Sequence, residues 1–173
     1  GNIAQPAMHD YILFAGMYNE LDDDLRNKVE NIVEWVFDSR YADIIYGYGY
    51  FYAPHGSYKA KAIIFKMHLP DFKHKTFNDG ELSSLILTCF ILSHFAAGRN
   101  SEWFQLAMEF LDGYRTLNNR YVFSRHMIAE KPNSYAIFGG HMNVGENKQS
   151  RLYAEIISTY WMERIQSNLI SIE

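Results

Sequence analysis

The chain is poor in the residues that several kinds of protein depend on. It has one cysteine, Cys89, in 173 residues, which excludes a disulfide framework within the chain and fits a reducing compartment such as the cytoplasm. Its formal net charge is -4, and no block of lysine and arginine occurs. Nucleic acids and anionic membranes both require a concentrated positive surface, so neither is an expected partner.

Long apolar runs are also missing. The longest, at residues 82–97, is interrupted by serines, a threonine and a histidine. Even without these interruptions it is shorter than the roughly 20 residues that a membrane-spanning helix needs. We therefore predict no membrane span.

Familiar catalytic motifs are absent from the sequence as well. There is no G-x-S-x-G, and Cys89 lies in an apolar run, where a thiol is inert. The G-x-G at residues 47–49 lies within a strand pattern and opens no helix, so it is not a phosphate-binding loop. The sequence leaves open whether the protein is an enzyme, and it predicts no cofactor.

The chain is instead rich in aromatic and apolar residues, which follow a helical period. Aromatic residues make up 16% of the sequence, with thirteen tyrosines whose hydroxyl groups favour clefts and interfaces. Helices are predicted at residues 7–18, 22–37, 82–97, 101–114 and 150–167. The first, third and fifth are apolar nearly all round, and the other two are amphipathic. This alternation predicts inner and outer layers of helices.

Two of these helices carry signals that the structure can test directly. The second begins at Asp22 or Asp23, and its apolar stripe leaves Glu30 on the part of the helix expected to face water. The third is expected to end at Gly98, because glycine commonly follows the last residue of a helix.

Two stretches follow a period of two, which predicts strands. Residues 44–52, "IIYGYGYFY", alternate tyrosine with glycine or phenylalanine, and residues 62–67 are their expected partner. A second hairpin is predicted from residues 120–124 and 135–140. Each hairpin is flanked by an amphipathic and an inner helix, so the chain contains an internal repeat over about 22–97 and 101–167. Stacked repeats of this kind are typical of solenoids and toroids.

The chain resembles the α/α toroids of the terpenoid cyclase and protein prenyltransferase class. The phrases "YGYGYFY", "KMHLPDF", "RYVFS" and "GENKQSRLYAEIISTYWMERI" are similar to those of a group of uncharacterised bacterial proteins with this toroid. The resemblance covers residues 10–165. It implies a mainly α fold, an arc of a toroid with alternating inner and outer helices and two short β-hairpins. The chain is then a single domain over 1–173, or a segment completed by the rest of a longer chain or by a second copy.

The chemistry of the named enzymes does not extend to this chain. Prenyltransferases bind zinc through a cysteine two residues after an aspartate, but Leu87 stands two residues before Cys89. The acidic run at 22–26 matches neither the D-x-D-D of triterpene cyclases nor the D-D-x-x-D that binds magnesium diphosphate, since Arg26 takes the last position. The Q-x5-W repeats are missing too.

Tyrosines provide the first set of candidate ligand-binding residues. Four of them share one face of the first predicted strand: Tyr46, Tyr48, Tyr50 and Tyr52. Their rings could line a cavity for an apolar or sugar ligand, or stabilise a cation. The alternative is that they pack against neighbouring helices with their hydroxyl groups in solvent.

Histidines provide the second set. His55 and His126 follow the first strand of each predicted hairpin, and His68 and His141 lie near the end of each second strand. They would converge if the two hairpins faced one cavity, whereas in the alternative each one binds its own loop. None has the tight spacing of a specific metal motif, so no metal site is predicted. We take His55, His126 and His141, with the tyrosines, as candidate ligand-binding residues.

Three functions remain open at this stage. The first is a domain whose aromatic cavity accepts an isoprenoid-like or other apolar molecule, without the recognised catalytic motifs. The second is a non-catalytic helical-repeat module that binds another protein. The third, by analogy of fold alone, is a carbohydrate-active lyase or hydrolase.

Overall fold

A computed structural model describes residues 6, 8–43, 49–53, 56–60, 67–128 and 150–170. Within these ranges the chain is mainly helical, as predicted. The helices are α1 (Met8–Met17), α2 (Asp23–Trp35), α3 (Ser39–Ala42), α4 (Asp79–Leu82), α5 (Leu85–Leu92), α6 (Ala96–Asn100), α7 (Glu102–Asp112), α8 (Arg125–Ile128) and α9 (Tyr153–Ile170). A short 3₁₀ turn, Tyr18–Glu20, follows α1, and two strands are β1 (Gly49–Ala53) and β2 (Gly56–Ala60). No helix in the described ranges is both long enough and apolar enough to cross a membrane.

Each of the two amphipathic helices begins after a residue whose side chain caps it. The Asp22 carboxylate accepts a hydrogen bond from the Leu25 N–H at 2.8 Å, and α2 starts at the next residue. The Ser101 hydroxyl accepts one from the Phe104 N–H at 3.1 Å at the start of α7. Each cap satisfies a backbone donor that the helix itself leaves unpaired.

The third predicted helix is wrong as a single element, because α4, α5 and α6 replace it. The chain turns after Leu92, and the Ser93 hydroxyl donates to the Phe90 carbonyl at 2.6 Å. Gly98 lies inside α6 instead of ending a helix. A Cβ on Gly98 would stand 2.3 Å from the Leu92 carbonyl oxygen. The turn therefore brings two backbone segments closer than any residue with a side chain allows.

Helix α5 forms the centre of the core, and α1, α4, α6, α7 and α9 contact it. Nearly all of its side chains are buried, so the expectation of an inner helix holds for α5. The other two predicted inner helices differ. Leu13 of α1 and Ile156 and Tyr160 of α9 are exposed, so neither helix is covered on every side. The full inner and outer alternation of a toroid is thus not confirmed.

The two predicted hairpins are not confirmed either. Strand β1 pairs antiparallel with β2, with Gly49 opposite Ala60 and Ala53 opposite Gly56, so its partner lies between the two predicted strands instead of at residues 62–67. Residues 120–124 form no strand. Most of the first hairpin's expected partner and all of 135–140 lie outside the described residues.

Hydroxyl groups of α9 explain why residues 120–124 do not form a ladder. The Tyr121 N–H donates to Thr159 Oγ1 at 3.0 Å, and the Phe123 N–H donates to Ser158 Oγ at 2.9 Å. Alternate backbone donors, which a partner strand would otherwise bind, are therefore satisfied by side chains. The period of two corresponds to burial, because Tyr121 and Phe123 are buried whereas Val122 between them is exposed.

Glu30 connects α2 to α6 and corrects the expectation that it faces water. Its carboxylate accepts hydrogen bonds from the Ala96 N–H at 2.9 Å and the Ala97 N–H at 2.7 Å, at the first turn of α6. It also accepts one from the Tyr18 hydroxyl. Burial and this hydrogen bond raise the pKa of Tyr18 to about 12. We call this contact, with Gly98, the α2–α6 junction.

Candidate functional site

A loop formed by residues 67–78 lies against α7 and is fixed at two points. The Met67 N–H donates to the Tyr41 hydroxyl at 2.7 Å, and both residues are buried. The Trp103 indole N–H donates to the Pro70 carbonyl at 2.9 Å. Because these bonds join the loop to α3 and α7, its following residues have a defined place over α7.

The tip of the loop is a tight turn rich in basic residues. Asp71 and Thr76 form an antiparallel bridge, and the Asp71 carboxylate binds the His74 N–H at 3.0 Å and the His74 Nδ1 at 2.8 Å. These bonds lower the pKa of Asp71. Lys75 adopts a left-handed backbone conformation with φ of 53°. Such a conformation is unfavourable for a residue with a side chain and persists only where its surroundings impose it.

Aromatic rings join the loop to α7. The Phe72 ring centroid lies 5.2 Å from that of Phe77, 5.2 Å from that of Phe110 and 5.8 Å from that of Trp103. Phe110 in turn packs on Phe77 at 5.5 Å and on Tyr114 at 5.6 Å. The rings meet edge-on or tilted, which is the favourable arrangement for aromatic pairs.

The apolar surface of α7 is wider than the part of it that is buried in the core. Phe104, Ala107 and Leu111 are buried on the side that completes the core. A second row of apolar side chains is only half buried. It consists of Trp103, Leu106, Phe110 and Tyr114. The loop covers part of this second row and leaves open space on both sides of Phe72.

The open space forms two clefts that share Phe72 and Leu106. The α3 cleft, of about 370 Å³, lies between α3, the loop and the start of α7. The α7 cleft, of about 510 Å³, lies between the tip of the loop and the later turns of α7. The α7 cleft is lined by Phe72, Lys75, Phe77, Leu106, Glu109, Phe110, Gly113 and Tyr114.

The charged groups at the two clefts differ in their pairing. In the α3 cleft, Lys73 Nζ lies 2.6 Å from Glu102 Oε2. In the α7 cleft, Lys75 comes from the loop and Glu109 from the helix. Neither forms an ion pair with any residue that the structure describes. The α7 cleft thus combines an aromatic lining with one available cation and one available carboxylate.

Two histidines pair with carboxylates near the clefts, but their surroundings indicate structural roles. His68 Nε2 lies 3.2 Å from Glu81 Oε1. The same Glu81 carboxylate accepts a hydrogen bond from the Asn78 N–H at 2.6 Å, in a capping box that starts α4. His74, paired with Asp71, is exposed. Neither histidine lines the α3 cleft or the α7 cleft.

Metal ligation and thiol chemistry find no support in the described part of the chain. No three histidine, cysteine, aspartate or glutamate residues there are grouped closely enough to hold a metal ion. Cys89 is completely buried in α5, and burial raises the pKa of its thiol. A thiol that stays protonated is a poor nucleophile, as its apolar sequence context predicts.

The structure describes few of the candidate residues chosen from the sequence. Tyr46, Tyr48, His55 and His141 lie outside the described residues. Tyr50 and Tyr52 belong to β1, opposite Lys59 and Ser57. His126 is the second residue of α8 and is exposed. The convergence of the tyrosines and histidines on one cavity therefore stays a prediction.

The loop is a candidate site that no period in the sequence predicts. Its signal was the segment "DFKHKTF", in which two phenylalanines flank a run of basic residues. The half-buried row on α7 was recognisable by its spacing, but it was interpreted as part of one core-facing stripe. Only the fold shows that the loop packs on this row at the edge of the core.

Comparisons with known proteins give the chain no relatives. It matches no protein-family model, no curated protein and no solved structure.

Proposed function

We propose that this chain is a ligand-binding domain and that the α7 cleft accepts an apolar small molecule. The observation that carries the proposal is the aromatic lining of this cleft, in which Phe77, Phe110 and Tyr114 are half buried around the buried ring of Phe72. The exposed parts of the three half-buried rings are the surface that an apolar ligand would cover.

The size and chemistry of the cleft support a small apolar ligand. Ligand-binding clefts are typically about 300–1,000 Å³ and mostly apolar, with a few polar groups that set orientation. The α7 cleft, at about 510 Å³, falls within this range. Removing apolar surface from water stabilises a complex by about 25 cal/mol per Å², so covering the aromatic lining would favour binding.

The resemblance to toroid proteins extends the proposal to architecture and ligand type. In this view the helices form an arc of an α/α toroid in a cytoplasmic protein, and the ligand is isoprenoid-like or another molecule with an apolar body. Helix α5, covered by helices on several sides, supports an inner position in such an arc. The proposal includes binding and no catalytic step.

A second candidate is a module that binds another protein. It is favoured by exposed apolar side chains spaced by one helical turn at Leu152, Ile156 and Tyr160. Light scattering of the parent and an Ile156→Glu variant tests it. A parent that stays monomeric alone and with the rest of its natural chain would count against this candidate.

The α7 cleft is tested with a neutral isoprenoid alcohol, farnesol, by isothermal titration calorimetry. We expect Phe110→Ala to weaken binding about tenfold, which corresponds to the loss of one ring contact of about 1.4 kcal/mol. The matched control is Phe37→Ala, which removes a half-buried ring from the α3 cleft. Circular dichroism melting curves confirm that both variants are folded.

Two results would contradict the proposal. One is a parent protein that binds neither farnesol nor smaller compounds with an apolar body, such as indoles, up to their solubility limits. The other is equal weakening by Phe110→Ala and Phe37→Ala, which would mean that the α7 cleft is not the site.

A further inference from the structure

The two clefts differ in whether their charged side chains already form ion pairs. Three consecutive basic residues, Lys73, His74 and Lys75, form the tip of the loop. The first pairs with Glu102 at 2.6 Å and the second with Asp71 at 2.8 Å. Among the described residues, only the third has no acidic partner, and it is the one that lines the α7 cleft.

The acidic residues of α7 show the same distribution. Glu102 pairs with Lys73, and the Asp112 carboxylate accepts a hydrogen bond from the Tyr121 hydroxyl at 2.9 Å. Glu109 makes no such contact with any residue in the described part of the chain, and it too lines the α7 cleft. Among the described residues, one cation on the loop and one carboxylate on the helix, neither of them in an ion pair, therefore line a single aromatic cleft.

This arrangement selects against ligands with one charge or none. A neutral apolar ligand would remove water from both charged groups without replacing its hydrogen bonds, which is unfavourable. A ligand with a single charge would pair with either Lys75 or Glu109, and it would repel the other group or remove water from it. A ligand with both charges can pair its carboxylate with Lys75 and its ammonium with Glu109. The faces of the surrounding rings favour the ammonium further.

We infer that the natural ligand of the α7 cleft is a zwitterion with an apolar body, of the type of an amino acid with a large apolar side chain. The inference rests on the proposed function, because it specifies the ligand of the same cleft. The apolar body would contact Phe72, Phe77 and Phe110.

Four compounds with one indole body test the inference by isothermal titration calorimetry at low ionic strength. They are tryptophan, with both charges; tryptamine, with the cation; indole-3-propionate, with the anion; and 3-methylindole, with neither. We expect tryptophan to bind tightest. Each missing charge should weaken binding about fivefold, which is the size of an exposed ion pair.

Three variants assign each charge to its residue. Lys75→Met should remove the advantage of tryptophan over tryptamine, and Glu109→Gln should remove its advantage over indole-3-propionate. Lys73→Met is the matched control, because this lysine lies two residues away and is paired in the α3 cleft. It should leave the order of the four compounds unchanged.

The outcomes separate this inference from the proposed function. If all four compounds bind equally, or if a singly charged compound binds tightest, the inference of a zwitterionic ligand is wrong. The proposal that the α7 cleft binds apolar molecules is retained in that case. If none of the four binds and farnesol does not bind, the proposed function itself fails. A tryptophan preference that survives both Lys75→Met and Glu109→Gln would also overturn the inference, since other groups would then supply the charges.

Discussion

The α2–α6 junction and the α7 cleft are built from the same kinds of residue but use them in opposite ways. At the junction, the Glu30 carboxylate binds two backbone N–H groups, and the Arg99 guanidinium donates to the Ser93 carbonyl at 2.9 Å. At the cleft, Glu109 and Lys75 have no ion-pair partner among the described residues. The difference indicates that the junction stabilises the fold, whereas the cleft leaves groups available to a ligand. Pairs of identical substitutions, one in each region, can test this contrast.

The largest expected difference is between two glycines. Gly98→Ala places a Cβ 2.3 Å from the Leu92 carbonyl oxygen, so the backbone must move. We expect a loss of about 3 kcal/mol in the free energy of unfolding, as for an overpacked core. The same change at Gly113, whose Cβ would meet the Phe110 carbonyl oxygen at 3.2 Å at an exposed helix end, should cost less than about 1 kcal/mol.

Urea unfolding followed by circular dichroism measures both glycine variants. Comparable losses at the two positions would contradict the contrast, because the close approach after Leu92 would then not be a special feature of the junction.

The next effect is expected from glutamate substitutions. Glu30→Ala leaves the Ala96 and Ala97 N–H groups without their acceptor and removes the partner of the Tyr18 hydroxyl. We expect a loss of about 2 kcal/mol in the free energy of unfolding, in the range of helix caps and charged hydrogen bonds. Glu30→Gln retains one oxygen acceptor and should lose about half as much.

The matched control is Glu109→Ala at the α7 cleft. Because the Glu109 side chain is exposed and makes no ion pair among the described residues, its removal should change the free energy of unfolding by no more than about 0.5 kcal/mol in the same urea titration. If Glu109→Ala destabilises the protein as much as Glu30→Ala, then Glu109 has a structural role and the contrast between the regions is wrong.

The smallest expected effect concerns pH and His94, beside the junction. Its Nε2 is buried and has no hydrogen-bond partner in the ranges that the structure covers, and its ring packs edge-on against Phe90. Burial, followed by the Arg164 and Arg99 charges, lowers the pKa of His94 below its usual value of 6.5. As the pH falls below about 6.5, His94 therefore binds a proton more readily in the unfolded chain than in the folded chain. Because protonation then favours the unfolded state, the free energy of unfolding decreases.

His94→Phe should retain the ring contact and reduce the loss of stability between pH 7.5 and pH 5.5, as measured by thermal unfolding. The control is His74→Gln, which removes one titratable group from the exposed tip of the loop. An unchanged pH dependence in His94→Phe would show that His94 does not carry the effect.

Prediction from the sequence succeeded where local signals are sufficient. The periods of α2 and α7 and their caps at Asp22 and Ser101 fix both helices, because a helix and its first-turn hydrogen bonds are short-range features. It failed for residues 82–97. Uniform apolarity predicts burial, but it does not show where a buried chain turns, and the turn after Leu92 depends on the contact with Gly98.

The candidate site shows the same division. The helical spacing of Trp103, Leu106, Phe110 and Tyr114 predicted that they lie along one apolar stripe, but not which segment covers it. The aromatic cavity that was predicted at the tyrosines is a different site, which the described residues do not test. The sequence directed attention to the tyrosines of the β1 region and not to Phe72 and Phe77. These two rings belong to a loop without a helical or strand period, so no sequence pattern indicates which surface they contact.

The sequence by itself determined a mainly helical protein with a buried apolar segment within residues 82–97 and two amphipathic helices, because composition, period and capping act over a few residues. The tertiary structure decided that Glu30 caps a helix about 66 residues further along the chain, and that Lys75 and Glu109 meet at one aromatic cleft. Such pairings depend on which segments pack together. Glu30 and Glu109 have the same side chain, and only their neighbours in space make one a structural cap and the other an available charge.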